Sequence, residues 1–258
     1  MESAGTVEKA VDVLFHLHAA RAPQGVTAIG QALGMPKSST HRLLSALGRR
    51  GLVERDERGQ YRTGIALVAL GLGALEGEPV VAAGRPVLEA QAREVGETFF
   101  LVAARAGKLR VLDKAEGSGF LRAAPQVGSA VPVHATAVGK LYLAFGSDQV
   151  AQSGTPLKAF TPRTLTEPRS LQSAARAVRR RGWALNRDEW IPGLSVLAAP
   201  IRTGRGGDER MVGAVALAAA TPRLEELGTD ALARRVRRAA EQIAARLEVG
   251  APGRGRSR

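Results

Sequence analysis

The 258-residue chain contains no cysteine. That absence excludes disulfides, thiolate metal sites and cysteine nucleophiles together, and it suits a reducing cytoplasm. Histidine is sparse, with four in all: His16, His18, His41 and His134. His16 and His18 lie two apart on a helical pattern and so point in different directions. No apolar run reaches the ~18 residues that a membrane span requires. The stretch Met1 to Lys9 is polar and acidic, unlike a secretory signal. Lysine is scarce beside arginine.

Apolar residues make up 45% of the chain, ample for packed cores, and the length predicts two domains. The formal net charge is +13. Residues 1–76 hold nine basic and seven acidic side chains, so the excess lies further on and includes Arg254, Arg256 and Arg258. Two readings stand: a polyanionic partner, or a general compositional bias towards arginine and alanine. Charge alone does not choose between them.

Val7, Ala10, Val11, Leu14 and Leu17 follow the spacing of an amphipathic helix that ends near Ala20. A short helix follows, with Thr27 as its expected N-cap, Ile29, Ala32 and Leu33 as its apolar stripe and Gly34 as its stop. After the break at Met35-Pro36, a third helix is predicted from about Ser38 to Arg50. Leu52 to Arg55 and Gln60 to Thr63 flank Asp56-Glu57-Arg58-Gly59 as a hairpin. Three helices and a hairpin in this order are a winged helix-turn-helix, placed at residues 1–64. An apolar linking helix follows (65–78).

Residues 79–249 read as an α+β domain. Strands are predicted at Phe99 to Ala104 and Leu109 to Asp113, and again at Leu194 to Ile201 and Met211 to Ala218. Short loops join each pair, which implies antiparallel pairing. Helices are expected at Val87 to Val95, at Thr136 to Phe145, from a cap at Thr166 to Arg181, and at Leu232 to Leu247. Residues 250–258 read as a disordered basic tail.

The third helix carries the chemistry. With 100° per residue and Ser38 at zero, Arg42 falls at about 40°, Ser45 at about −20° and Arg49 at about 20°. Leu43, Leu44 and Leu47 fall at about 140°, 240° and 180° on the other side. Lys37 to Arg50 contains no acidic residue. The short hydroxyls of Ser38, Ser39 and Thr40 allow close approach to DNA. Arg42 is long enough to reach guanine O6 and N7, or a phosphate. The expected DNA-binding set is Lys37, Ser38, Ser39, Thr40, Arg42, Ser45, Arg49, and Arg58 and Arg62 of the hairpin. A solvated basic face is the plainer alternative for an isolated helix; the preceding short helix and the following hairpin argue against it.

Thr27-Ala28-Ile29, then Leu33 to Leu47, then Gly51-Leu52-Val53 and Tyr61-Arg62-Thr63-Gly64 resemble the isocitrate lyase regulator (IclR) family. Val131 to Lys140, Arg181-Gly182-Trp183, Asp188-Glu189, Gly193 and Ala198 to Ile201 extend the resemblance to about Leu247. The resemblance implies a dimerising winged helix that binds palindromic operators as a homodimer or homotetramer. It also implies a GAF-like C-terminal domain, an antiparallel sheet flanked by helices, that binds a small-molecule effector. Family pocket positions carry over to Ala137, Val138, Asn186, Val196, Ala216 and Ala218. Where some members have an Asp, a Cys and two Ser, this chain has Asn186, Val196, Ala216 and Ala218. Such a pocket favours an aromatic or apolar acid over a compact polar one. Its alanines leave room for a ring, and Asn186, Thr136 or Glu189 is expected to orient one polar end.

Other constellations fail. Around Val138-Gly139-Lys140-Leu141, a phosphate loop would need Gly at His134 and Ser or Thr at Leu141. No Gly-x-Ser-x-Gly surrounds a serine, so a hydrolase nucleophile lacks its elbow. A metal held by His134 with Asp188 or Glu189 is conceivable; His134 capping or packing at a helix start is the plainer reading. Trp183 and Trp190 read as core or pocket wall. The chain is therefore expected to be a cytoplasmic DNA-binding regulator with no catalytic residue, metal or cofactor. The opposing class is an enzyme or ligand-sensing module whose helix-turn-helix is vestigial.

Overall fold

The structure, a computed structural model, describes residues 3–20, 22–119, 126–146, 156–204 and 206–250. The last eight residues of the expected tail lie outside these. The chain divides into two compact units, Met1–Gly77 and Glu78–Arg258.

The first unit holds α1 (Ser3–Ala19), α2 (Val26–Ala32), α3 (Lys37–Arg49), β1 (Val53–Arg55), β2 (Tyr61–Thr63) and α4 (Ile65–Glu76). The leucine side of α3 is its inner side: Leu44 and Leu47 pack with Val13, Leu17, Ile29, Met35, Val53 and Tyr61. Burying such side chains is worth about 1.5–3 kcal/mol each and fixes the rotation of α3 about its axis. Gly30 lets α2 and α3 cross closely, since a Cβ there would lie 2.9 Å from the Met35 carbonyl oxygen. Thr27 is not the cap of α2. Val26 is already helical and the cap position is Gly25, whose carbonyl accepts from the Ile29 N–H. The hairpin gains a third partner that the pattern did not reveal: Gln24 and Tyr61 exchange backbone hydrogen bonds of 2.9 and 2.8 Å.

The second unit begins with α5 (Pro79–Val95), β3 (Thr98–Arg105), β4 (Lys108–Ala115), β5 (Ala130–Val131) and α6 (Ala137–Phe145). It continues with α7 (Pro168–Arg181), β6 (Ala184–Arg187), β7 (Leu194–Thr203), β8 (Arg210–Ala220), α8 (Thr221–Leu227) and α9 (Thr229–Gly250). The strands form one antiparallel sheet in the order β5-β4-β3-β8-β7-β6. The β3–β4 turn has Ala106 and Gly107 at φ 49° and 71°, the paired positive values of a two-residue hairpin. Thr166 does not cap α7. The cap position is Glu167, and Pro168 takes the first helical position, where its fixed φ and missing N–H cost nothing.

The sheet sorts its side chains by parity. Phe100, Val102, Ala198, Ala214, Ala216 and Ala218 pack with Val138, Leu141 and Tyr142 of α6 and Val178 of α7. Leu101, of opposite parity on β3, meets Gly84 of α5, and α9 packs along β7 and β8. Gly139 sets how closely α6 approaches the chain before it. A Cβ there would sit 1.7 Å from the Val133 carbonyl oxygen.

Candidate nucleic-acid interface and effector cavity

Because Leu44 and Leu47 face inward, α3 turns Lys37, Ser38, Arg42 and Arg49 outward, and all four are exposed. Ser39 and Ser45 are half-buried at the edges of this face. Lys37, Arg42 and Arg49 have no ion-pair partner among the described residues, so their full charge faces solvent. Thr40 leaves the expected set. It is fully buried under α2, and its hydroxyl donates to the Pro36 carbonyl at 3.0 Å. At 100° per residue it falls at about 200°, between Leu47 and Leu44 on the inner side, and the α2 crossing closes over it.

In the hairpin, Arg58 is exposed at the tip. The tip is shaped by Asp56, whose carboxylate accepts the N–H groups of Arg58 and Gln60 at 3.0 and 2.8 Å. Arg62 is exposed but engaged: it pairs with Glu54 at 3.0 Å. A backbone hydrogen bond from Ile65 and the Arg62 guanidinium hold the Glu54 carboxyl below its usual range. Two further exposed groups belong to this surface and were missed: His41 on α3 and Arg55 on β1, whose guanidinium lies 5.6 Å from the Tyr61 ring centre. Strand alternation gave no signal for Arg55, which shares the parity of buried Val53 and is exposed because it ends the strand.

In the second unit a cavity is lined by Phe100, Val131, Thr136, Val138, Asn186, Trp190, Ile191, Leu194 and Val196. Four of the expected residues are therefore brought together: Thr136, Val138, Asn186 and Val196. Ala137, Ala216 and Ala218 are not on its wall; they are 0, 0 and 2% exposed within the packed core. Small side chains there let α6 settle onto the sheet instead of leaving a void, as close-packed interiors demand. The room expected for a ring is consequently absent, because the free interior is about 20 Å3, space for about one water. Phe100, Val131, Trp190, Ile191 and Leu194 complete the wall. Trp190 and Ile191 stand on the loop between β6 and β7.

The expected polar handles already hold bonds within the protein, with one Asn186 amide proton and Glu189 Oε2 left over among the described residues. The Thr136 hydroxyl caps α6, accepting from the Gly139 N–H at 3.0 Å and donating to the Pro132 carbonyl at 2.7 Å. The Asn186 amide donates to the Ala135 carbonyl at 2.6 Å and accepts from the Glu189 N–H at 2.9 Å. Glu189 is buried, and its Oε1 receives the Lys140 ammonium at 2.5 Å. Lys140 also donates to the Leu185 carbonyl at 2.9 Å. Burial pulls the Lys140 pKa down and Glu189 opposes that pull.

The same loop is clamped at Asp188, whose φ is 57°. Its carboxylate takes Arg163 at 3.0 Å and the Thr221 hydroxyl at 2.6 Å, and its carbonyl takes the Thr161 hydroxyl at 2.7 Å. His134 is 4% exposed; its Nε2 meets the Lys158 carbonyl at 2.9 Å and its ring stacks on Phe160. It packs, while Asp188 and Glu189 are engaged by cations. No group of three metal-ligating side chains occurs among the described residues. No single helix among them is long and apolar enough to cross a membrane.

Comparison with known proteins agrees with this geometry over nearly the whole chain. Residues 6–57 match the IclR helix-turn-helix domain, and residues 72–245 match the family described as bacterial transcriptional regulator IclR C-terminal. The glycerol operon regulatory protein of Streptomyces coelicolor is 32% identical over 224 residues, covering 85% of this chain and 86% of that protein. The regulator XynR of Escherichia coli is 28% identical over 225 residues, covering 86% and 88%. The Thermotoga maritima IclR structure covers 95% of this chain and 99% of its own, at a TM-score of 0.79 and 24% identity. An IclR homologue from Microbacterium hydrocarbonoxydans, solved with 4-hydroxybenzoate, covers 95% and 100% at a TM-score of 0.79 and 22% identity. The chain belongs to the IclR family of bacterial transcriptional regulators, DNA-binding proteins and not enzymes.

Proposed function

We propose that the protein reads palindromic operators in the cytoplasm as a homodimer or higher oligomer, and that a small effector held in the β-sheet cavity modulates that binding. The observation that carries the DNA reading is the acid-free outer face of α3. Arg42 lies at its centre to read a base edge, with Ser38 and Ser45 beside it. Lys37, Arg49, Arg58 and the pair-bound Arg62 contact phosphates, and Ser39 supports the N-terminal end. A single winged helix offers too small a contact for high specificity, so two copies on two half-sites are needed.

The apolar surface for that assembly is present. Val7, Phe15, Ile65 and Leu70 are 66, 68, 70 and 63% exposed on α1 and α4. Burial against a second copy yields about 25 cal/mol per Å2 of apolar area.

The effector is an apolar or aromatic molecule with one polar end. It contacts Val138, Val196, Trp190, Ile191, Phe100 and Leu194. At about 20 Å3 the cavity admits it only when Trp190 and Ile191 swing outward. The related structure with 4-hydroxybenzoate supports a ligand of this size class. A mobility-shift assay on the upstream intergenic DNA, with and without candidate aromatic compounds, tests both halves. Absence of any sequence-dependent shift overturns the DNA half. A shift indifferent to every compound, with no thermal stabilisation, overturns the effector half.

A further inference from the structure

The cavity has an apolar wall and two polar wall residues, which offer no cation and, beyond the bonds they already make among the described residues, one free amide proton of Asn186. Thr136 uses its proton on Pro132 and its lone pair on Gly139. Asn186 uses one amide proton on Ala135 and its oxygen on Glu189. Glu189 is not itself on the wall; it stands one residue before Trp190, and its backbone N–H is held by Asn186, so two wall residues border it. Its Oε1 is neutralised by Lys140, but its Oε2 is buried and has no hydrogen-bond partner among the described residues. A buried carboxylate oxygen without a donor is a costly exception in a folded protein. It asks for an N–H or O–H.

We infer that Glu189 is the polar anchor of the effector site, and that the effector presents a hydrogen-bond donor there (a phenol, alcohol or amine) rather than a carboxylate. The inference rests on the effector reading above and deepens it. The Lys140–Glu189 pair is electrically neutral as a unit. An incoming carboxylate would therefore find no uncompensated cation, and it would face the Oε2 charge at close range. A donor instead completes the coordination of Oε2 while the ring occupies the space vacated by Trp190 and Ile191. The expected preference for an acid, drawn from the family, is thus reversed at this position. The chemistry selected is that of a neutral or cationic aromatic with a protic end.

Three probes of matched skeleton separate the possibilities: 4-methylphenol, toluene and 4-methylbenzoate, each titrated against the full chain by calorimetry and thermal shift. The expected order is 4-methylphenol tightest, by about ten-fold or more over both others, the size of a hydrogen bond to a charged group. Glu189→Gln leaves the Lys140 ammonium uncompensated, so in that variant the order of phenol and benzoate reverses. A purely structural Glu189 would weaken all three probes together. Equal binding of 4-methylphenol and toluene, or tighter binding of 4-methylbenzoate to the parent protein, overturns the anchor and leaves the cavity reading standing. Val196→Trp, which fills the cavity, separates the other failure: if it leaves 4-methylphenol binding unchanged, the cavity itself is not the site. Should Glu189→Gln not fold, the ranking on the parent protein alone decides.

Discussion

Replacing Gly139 by alanine puts one methyl group where the structure has no space for it. The new Cβ would lie 1.7 Å from the Val133 carbonyl oxygen and 2.4 Å from its carbon, and real Cβ contacts do not fall below 3.0 Å. Something must therefore move by about 1.3 Å, and the obstacle is backbone, not a flexible side-chain end. The segment that must yield carries Pro132 and Thr136, so the cap bond from Gly139 to Thr136 opens with it. Overpacking of this kind costs about 1–3 kcal/mol, and loss of a Thr cap costs about 1 more. A total of about 2–4 kcal/mol lowers the melting temperature of a unit of this size by about 5–15 °C. Thermal denaturation of the full chain is the assay, read with 4-methylphenol binding, because Val131, Thr136 and Val138 of the cavity wall lie on the displaced segment. Operator binding below the transition should persist, since the Met1–Gly77 unit has its own core. An unchanged melting temperature would refute the close approach of α6 to Val133.

Other outcomes follow from the same structure. Glu189→Met leaves the Lys140 charge buried without its partner, which destabilises the chain by about 3–5 kcal/mol at neutral pH. Burial already lowers the Lys140 pKa, and loss of Glu189 removes the contribution that opposes it while Arg181 continues to push it down. Because its folded pKa lies below the unfolded one, the penalty is full at low pH and shrinks as pH rises through the folded value. Denaturant titrations should therefore show the gap to the parent narrowing towards alkaline pH; a gap that widens contradicts the assignment. Phe15→Glu or Leu70→Glu should shift sedimentation towards monomer, and an unaltered dimer would mean that these faces serve another purpose. Lys37→Ala and Arg58→Ala should each reduce the salt slope of DNA binding by about one. A slope left unchanged removes that residue from the phosphate contacts.

What was legible from the residues is what periodicity and charge encode. The leucine stripe of α3 determined its inner face, and Leu44 and Leu47 are buried as that stripe requires. The long β3, β4, β7 and β8 announced themselves by their apolar runs and short turns. The two-residue β5, the Gln24–Tyr61 bridge and the seven-residue α8 did not, because segments so short owe their form to tertiary partners. Capping went astray at Thr27 and Thr166, where a neighbouring glycine or the fixed φ of Pro168 placed the helix start elsewhere. Thr40 joined the surface hydroxyls by residue type alone, although its place on the helix, between Leu47 and Leu44, already turned it inward. The cavity was half legible: Thr136, Val138, Asn186 and Val196 converge, yet Ala216 and Ala218 drew the core inward instead of widening a pocket. No one-dimensional pattern reports which hydrogen bonds a threonine or asparagine has already made.

The central claim is that the outer face of α3 reads operator DNA. The direct measurement is a salt-controlled titration of the operator and of a scrambled duplex of equal length with the parent chain and Arg42→Ala, both checked for folding by circular dichroism. The account predicts that Arg42→Ala loses about 1–3 kcal/mol for the operator, and little for the scrambled duplex. Equal operator affinity of the two proteins would contradict it.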